Sequence, residues 1–443
     1  MARPLWSSEP EEERAFLVGI QLRGRTMGDV GDSLDELHLL SETGGAVVTG
    51  RLVCRQPSVH PATYIGKGKA AEIAAQVAEQ GITTVVFDDD LSAAQGRNLS
   101  EIIGCKIIDR TQLILDIFAQ HARTKEGRLQ IELAQLEYLL PRLRRMWTHL
   151  ERQRGGIGLR GPGEQQLELD RRKIQDRIAR ISVALEDVRA RRSEQRRGRR
   201  RHGWALITLV GYTNAGKSTL LNGLTGAEVE ADDRLFATLD PTTRQIKLPN
   251  HQPALVTDTV GFIRKLPHHL VDSFRATLEE VNEADVLMHV IDASHPQVDQ
   301  QIDAVHGVLR DLGAEDKPVI HVLNKMDLPA AELHARRLAE RVGGRVVEIS
   351  ALTGKGLDQL RVEVADYLKS RNVRVHLRVP VSEGKLLAAI RSVSRTYAET
   401  YGDDETVEID AAVPGSMLGA CAKYDIEAMG KGVEEGGGTD GKG

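Results

Sequence analysis

Short unbroken apolar runs alternate along this chain with stretches in which apolar residues recur every three or four positions. In residues 14–120 the runs fall at 15–22, 46–53, 83–87 and 106–108, and the helical patterns at 70–80 and 92–103. A strand that is apolar throughout is covered on both faces, so this order predicts a small α/β domain with a mainly parallel sheet. Residues 203–370 repeat the alternation, with runs at 205–210, 254–257, 286–291, 319–323 and 346–349 and a helix at 218–224. Residues 371–428 offer a strand at 373–379, a helix at 382–395 and a strand at 406–411, which reads as a small α+β appendage. The glycine-rich tail, 429–443, has almost no apolar side chains and is expected to be disordered.

Between the two α/β portions, residues 121–202 follow a different rule. Leu129, Leu133, Leu136, Leu140, Leu143, Trp147 and Leu150 form a helical seam, which Pro141 is expected to kink or break. The pattern resumes at Leu167, Ile174, Ile178, Ile181, Leu185 and Val188, so the two stretches predict an antiparallel helical hairpin. Its second arm, 164–189, would be about 40 Å long at 1.5 Å per residue. The tip, 155–163, has five glycines in nine residues. Their bare backbone at Gly161 could approach another surface closely, with Arg160 pairing to phosphate, or the tip could be a flexible turn of no consequence.

Charge makes this hairpin conspicuous. The chain of 443 residues has a net charge of −5, yet residues 121–203 carry 22 Lys and Arg against 11 Asp and Glu. The densest part, 189–201, holds eight arginines in thirteen residues, among them Arg189, Arg196 and Arg199. One basic segment in an acidic chain suggests contact with a polyanion such as RNA, and an Arg-rich solvated linker is the competing reading. No run of about 18 apolar residues is present, so no membrane-spanning helix is expected. The acidic N-terminus does not read as a signal peptide. Cys54, Cys105 and Cys421 are isolated, which argues against a disulfide scaffold and fits a reducing cytoplasm. Aromatic residues at 4% argue against a stacking platform for single-stranded nucleic acid.

Four motifs in the 203–370 portion carry chemistry. Gly211-Tyr212-Thr213-Asn214-Ala215-Gly216-Lys217-Ser218 fits G-x-x-x-x-G-K-[ST] between an apolar strand and a helix that continues through Thr219. Its backbone amides would cradle phosphates at the helix N-terminus, with Lys217 on the β- and γ-phosphates and the Ser218 hydroxyl on Mg²⁺. Asp258-Thr259-Val260-Gly261 follows the next apolar strand, where Asp258 would hold Mg²⁺ through water and the Gly261 amide would sense a γ-phosphate. Asn324-Lys325-Met326-Asp327 ends a third strand. There the Asp327 carboxylate would accept the N1–H and exocyclic amine of guanine, which adenine cannot supply. Lys325 would lie along the base, and the Ser350-Ala351 backbone would touch the guanine carbonyl. In the order found, these motifs predict a GTP/GDP site. A switch loop between the first two needs a threonine for Mg²⁺, for which Thr238 is chosen over Thr242 and Thr243. His268-His269, Asp232-Asp233 and the run Asp88-Asp89-Asp90 read as solvated turns or loops.

These stretches together resemble the HflX family of TRAFAC-class GTPases. The resemblance rests on Tyr64-Ile65-Gly66-Lys67-Gly68-Lys69, on the run GGIGLRGPGEQQLELDRR at 155–172, on GYTNAGKS, on FATLDPTTR and on DTVGFIRKLPHHLVDSF at 258–274, and spans roughly residues 14–370. It implies a cytoplasmic, ribosome-associated GTPase that acts on the large subunit and its RNA, where some members split stalled or idle ribosomes. Some members are credited with adenine-nucleotide binding in the N-terminal domain; Gly66 to Lys69 is either that or a structural turn. Phe262 stands where Ras-type proteins carry the glutamine that orients water, an apolar replacement the family shares, so unaided hydrolysis should be slow. Asn214 occupies the position where related GTPases hold K⁺, making K⁺ a candidate cofactor beside Mg²⁺; loop support is the alternative. The expected whole is an α/β chain: a P-loop GTPase domain, preceded by a small α/β domain with a long helical hairpin and followed by a small α+β domain. A monomer suffices. The rival functions are a GTPase assisting RNA modification and a stress-regulated GTP-binding protein that does not act on ribosomes.

Overall fold

A computed structural model describes residues 12–146, 162–201, 204–226, 235–236, 238–250, 252–265, 275–402 and 404–426. The tip residues Arg160 and Gly161, His268-His269, Asp232-Asp233 and the tail after residue 428 lie outside them. The chain divides into two compact units. The first takes residues 1–186, 232–239 and 265–274, and the second the remainder.

In the first unit, β1 (Arg14–Gln21), β2 (Val47–Arg55), β3 (Thr84–Phe87) and β4 (Lys106–Asp109) form one sheet in the order β2-β1-β3-β4, every neighbouring pair parallel. The helices are α1 (Met27–Thr43), α2 (Lys67–Gln80), α3 (Ala93–Ile103) and α4 (Arg110–His121). Phe16, Val18, Ile20, Ile73, Val85, Phe87 and Leu99 build a core between sheet and helices. Helix α1, which the apolar runs did not announce, starts at a capping box in which Thr26 and Asp29 satisfy each other's backbone amides.

The expectation of a solvated turn at Asp88-Asp89-Asp90 holds for the exposed Asp90 but fails at Asp88 and Asp89. Asp88 is 2% exposed and accepts from Arg110 at 2.9 Å and from the Ser33 hydroxyl at 2.7 Å, while Arg110 also pairs with Glu36. Lys265, in the same unit, pairs with Asp88 and with Asp89 at 2.8 Å. Burial alone would raise the Asp89 carboxyl, but the Lys265 and Arg25 cations outweigh it and hold it below the ordinary range. Buried carboxylates are kept only when they are paired and hydrogen-bonded, and here three cations do so.

The hairpin's first helix, α5 (Lys125–Met146), runs through Pro141 without ending, so of the expected kink or break the break does not occur. Tyr138 and Arg142 fix it to the domain. The Tyr138 hydroxyl donates to Asp109 at 2.8 Å, and Arg142 reaches the other Asp109 oxygen at 3.1 Å while its guanidinium sits 3.3 Å over the Tyr138 ring. The second helix, α6 (Pro162–Arg201), has 40 residues and takes in 189–201. Arg177 of α6 forms a bidentate pair with Glu132 of α5 at 2.6 and 2.8 Å.

In the second unit, β5 (Ala205–Gly211), β6 (Thr242–Lys247), β7 (Pro253–Asp258), β8 (Val286–Asp292), β9 (Val319–Asn324) and β10 (Arg345–Glu348) form a sheet ordered β10-β9-β8-β5-β7-β6. All neighbours are parallel except the edge strand β6, which runs antiparallel to β7. The helices of this part are α7 (Lys217–Thr225), α8 (Arg275–Glu283), α9 (Val298–Asp311), α10 (Pro329–Val342) and α11 (Leu357–Ser370). The chain then makes an antiparallel sheet of β11 (Val373–Pro380), β12 (Arg395–Tyr401) and β13 (Thr406–Val413), ordered β11-β13-β12, packed with α12 (Gly384–Val393). No helix among the described residues is long and apolar enough to cross a membrane.

Candidate nucleotide site

Parallel strands present their C-terminal ends on one side, and loops there form the usual ligand crevice of an open α/β sheet. The sheet of the second unit brings three of the sequence motifs together in this way, with Ser350-Ala351 beyond the end of β10.

The 211–218 loop leaves β5 at Gly211, whose φ of 155° and lack of a side chain are both required: a Cβ there would lie 2.3 Å from the Val290 carbonyl oxygen. It enters α7 at Gly216, with φ 93° and no side-chain cap, so the first amides of α7 have no side-chain acceptor at the cap position. Lys217 is 6% exposed and donates to the carbonyls of Gly211 at 3.2 Å and Tyr212 at 2.8 Å. Burial pushes its ammonium pKa down to about 8, against the opposing pull of the Asp258 carboxylate. Asn214, the exposed residue of the loop, sits at φ 59°, a conformation asparagine tolerates better than most side chains.

Asp258 ends β7, fully buried, and accepts from the Ser218 hydroxyl at 2.7 Å. Two hard oxygen ligands in contact at the head of a helix are a donor set suited to a small divalent cation. Beyond Asp258, Gly261 packs so closely that a Cβ would meet Thr213 Cα at 2.8 Å. Phe262 follows, 1% exposed; its N–H donates to the Gly211 carbonyl at 3.1 Å and its carbonyl accepts from Thr213 N–H at 2.8 Å. Its side chain is therefore buried in protein.

Asn324 ends β9 and acts as a strut. Its amide nitrogen donates to the Ala215 carbonyl at 2.8 Å and its amide oxygen accepts from Ala351 N–H at 2.9 Å. It thus joins the first loop to the Ser350-Ala351 turn, and a Cβ on Gly216 would lie 2.3 Å from its Nδ2. Asp327 is exposed, with its carboxylate held by the buried Ser350 hydroxyl at 2.6 Å. Lys325, at φ 65°, pairs with Asp292 at 2.7 Å. Asp292 escaped the sequence reading, although its place at the end of the apolar run of β8, level with Asn324 in register, could have signalled it.

The three candidate switch threonines fall in different places. Thr242 and Thr243 lie within β6, and the Thr243 hydroxyl shares a 2.9 Å hydrogen bond with Thr257. Thr238 is half-buried and belongs to the first unit. Arg189, Arg196 and Arg199 fall on α6.

Three family models match: residues 31–119 that of a GTP-binding GTPase N-terminal region, 121–199 that of a GTP-binding GTPase middle region, and 206–325 that of a 50S ribosome-binding GTPase. The chain is 45% identical over 411 residues to the GTPase HflX of Lacrimispora saccharolytica, covering 93% of this chain and 96% of that protein. It is 45% identical over 403 residues to the GTPase HflX of Escherichia coli, covering 91% and 94%. Among solved structures, a GTP-binding protein of Sulfolobus solfataricus in complex with GDP is 26% identical, covers 80% of this chain and 98% of that one, and aligns with a TM-score of 0.43.

Proposed function

The chain belongs to the HflX family of GTPases and is a GTP-hydrolysing P-loop enzyme; on that premise we propose that it is a cytoplasmic switch that binds the large ribosomal subunit and dissociates or rescues stalled or idle ribosomes. The observation that carries the ribosomal part is the basic helical segment. Its 22 Lys and Arg against 11 Asp and Glu fall on 121–203, most of it in α5 and α6. A long basic helix suits a phosphate backbone. The match of 206–325 to a 50S ribosome-binding GTPase model supports the same partner.

In this reading the backbone of Gly211 to Ser218, with Thr219 behind it, holds the phosphates. Lys217 leaves the Gly211 and Tyr212 carbonyls for the β- and γ-oxygens, where an anion restores the charged form that burial disfavours. Asp327, oriented by Ser350, reads the guanine edge. Lys325, steadied by Asp292, lies along the base, and Asn324 keeps the Ala351 amide in place for the guanine carbonyl. Ser218, Asp258 and Thr238 would hold Mg²⁺, which supplies charge neutralisation at the phosphates. Gly261 presents its amide to the γ-phosphate. Because the Phe262 side chain is buried and cannot handle a proton, the missing catalytic function would come from the bound partner, or from K⁺ held near Asn214, which would supply positive charge at the phosphates. Arg160 and Gly161 at the tip, and Arg189, Arg196 and Arg199 on α6, are the proposed RNA contacts.

The test is GTP turnover with and without purified large ribosomal subunits, with Lys217→Ala as the blank. Strong stimulation is expected. A wild-type rate that does not respond, alongside clean GTP binding, would remove the ribosomal reading and favour a GTPase that serves RNA modification or acts in the stress response away from ribosomes.

A further inference from the structure

Tyr212 occupies the first open position of the phosphate-binding motif, where the motif specifies no side chain. Its main chain and its side chain point to different duties. The peptide carbonyl accepts from Lys217 Nζ at 2.8 Å. The phenolic oxygen accepts the backbone N–H of Arg264 at 2.8 Å, and the residue is 7% exposed. The main chain of Tyr212 is also bridged in parallel to Phe262, through the Phe262 N–H to the Gly211 carbonyl and the Thr213 N–H to the Phe262 carbonyl.

Three hydrogen bonds therefore tie residues 262–264 to residues 211–213. Two are between main chains and would form with many side chains. The third exists only because a hydroxyl sits at the end of the ring at position 212. A phenylalanine would bury the same ring with no polar oxygen to satisfy, so the hydroxyl carries a desolvation cost that a purely packing residue would avoid. What it secures is the backbone immediately after Gly261.

We propose that Tyr212 is a positioning residue for GTP hydrolysis, its hydroxyl holding the 262–264 backbone against the phosphate loop so that the Gly261 amide meets the γ-phosphate. The inference rests on the nucleotide site proposed above. It is sharpened by Phe262: with no side chain at that position to orient water, correct placement of the main chain around it matters more. GDP has no γ-phosphate, so the hydroxyl should act on the hydrolytic step and not on diphosphate binding.

The experiment compares full-length wild type with Tyr212→Phe in four measurements: kcat and KM for GTP, GDP affinity by displacement of a fluorescent analogue, thermal melting, and amide hydrogen exchange of the peptide spanning 261–265. The loss of one hydrogen bond should lower kcat about five- to tenfold. KM, GDP affinity and melting temperature should stay near wild type, and exchange of the 261–265 peptide should quicken. A kcat equal to wild type would overturn the proposal, as would a fall in kcat matched by an equal fall in GDP affinity. Failure of the wild type itself to bind GDP would instead overturn the nucleotide site on which the proposal stands.

Discussion

Gly261→Ala adds one carbon where there is no room for it. The new Cβ would lie 2.8 Å from both Cα and Cγ2 of Thr213 and 3.0 Å from Lys217 Nζ. Carbon atoms rest about 3.5–4.0 Å apart, so the chain at 261 must retreat by about 0.7 Å or Thr213 must give way. Thr213 cannot turn aside, because the nearest atom is main chain in a loop held at both ends by β5 and α7. The retreat stretches the two bonds across the gap, Thr213 N–H to the Phe262 carbonyl at 2.8 Å and Phe262 N–H to the Gly211 carbonyl at 3.1 Å. Both would reach or pass the limit of useful hydrogen-bond length. At about 1 kcal/mol net for each, the variant loses about 2 kcal/mol of the closed arrangement, equivalent to about thirtyfold in rate. The assay is GTP turnover beside GDP affinity. Turnover should fall by that order while GDP affinity stays within about threefold, since GDP makes no demand on the Gly261 amide. Wild-type turnover would refute the steric reasoning, and a parallel loss of GDP affinity would show that the phosphate loop itself had moved.

Three further outcomes are expected. Asp327→Asn replaces an acceptor with an amide that cannot take both guanine donors, so GTP affinity should fall about a hundredfold or more and xanthosine triphosphate should bind better than it does to wild type; unchanged competition by GTP would refute the base assignment. If Asn214 holds K⁺, hydrolysis should run faster in K⁺ than in Na⁺, and Asn214→Gly should erase the difference; glycine is the better replacement than alanine because residue 214 sits at φ 59°. The rings of His289, His306 and His321 cluster with centroids 5.4 to 6.5 Å apart. Burial and the neighbouring histidines hold His289 well below its ordinary range, and burial with the His306 ring takes His321 down to about 4. The unfolded chain therefore gains protons below about pH 6.5 that these rings refuse, so stability should drop by about 3 kcal/mol through His321 alone as pH falls from 6.5 to 4, with His289 acting in the same direction. Urea midpoints at pH 7 and pH 5 measure it, and a difference untouched by His321→Asn would assign the loss to other groups.

The parallel strands were legible because burial on both faces writes them as continuous apolar runs, and β1, β3, β5, β7, β8 and β9 all have that form. The two strands the pattern missed are edges. β6 buries only Ile246, and β12, with the sequence RTYAETY, has no apolar run. Helix α1 was legible in principle, since Val30, Leu34, Leu37 and Leu40 are spaced by four, three and three, but the aspartates and serines set among them blur the stripe. Local sequence could not foresee the fate of Asp88, because the cations that neutralise it, Arg110 and Lys265, stand 22 and 177 positions away. That α5 continues past Pro141 was hidden for a related reason: the sequence announces the cost of proline in a helix, and contacts such as Tyr138 and Arg142 against Asp109, which help hold α5 in place, are tertiary.

The nucleotide site divides along the same line. A motif names the residues whose chemistry faces a ligand, because ligand chemistry fixes the residue type: a lysine for phosphate, a carboxylate for the guanine edge. Groups that hold one motif against another are fixed only by geometry, and several combinations of residues could serve. Tyr212 falls at an open position of its motif yet reaches Arg264, and Asp292 belongs to no motif yet steadies Lys325. The motif places Asn324 among the base-binding residues, but its amide spans from Ala215 to Ala351. Substituting such residues should leave the ligand's individual contacts chemically intact while loosening their mutual placement. Their signature is therefore a change in kcat or nucleotide preference rather than loss of binding outright, which is how Tyr212→Phe and Lys217→Ala are expected to differ.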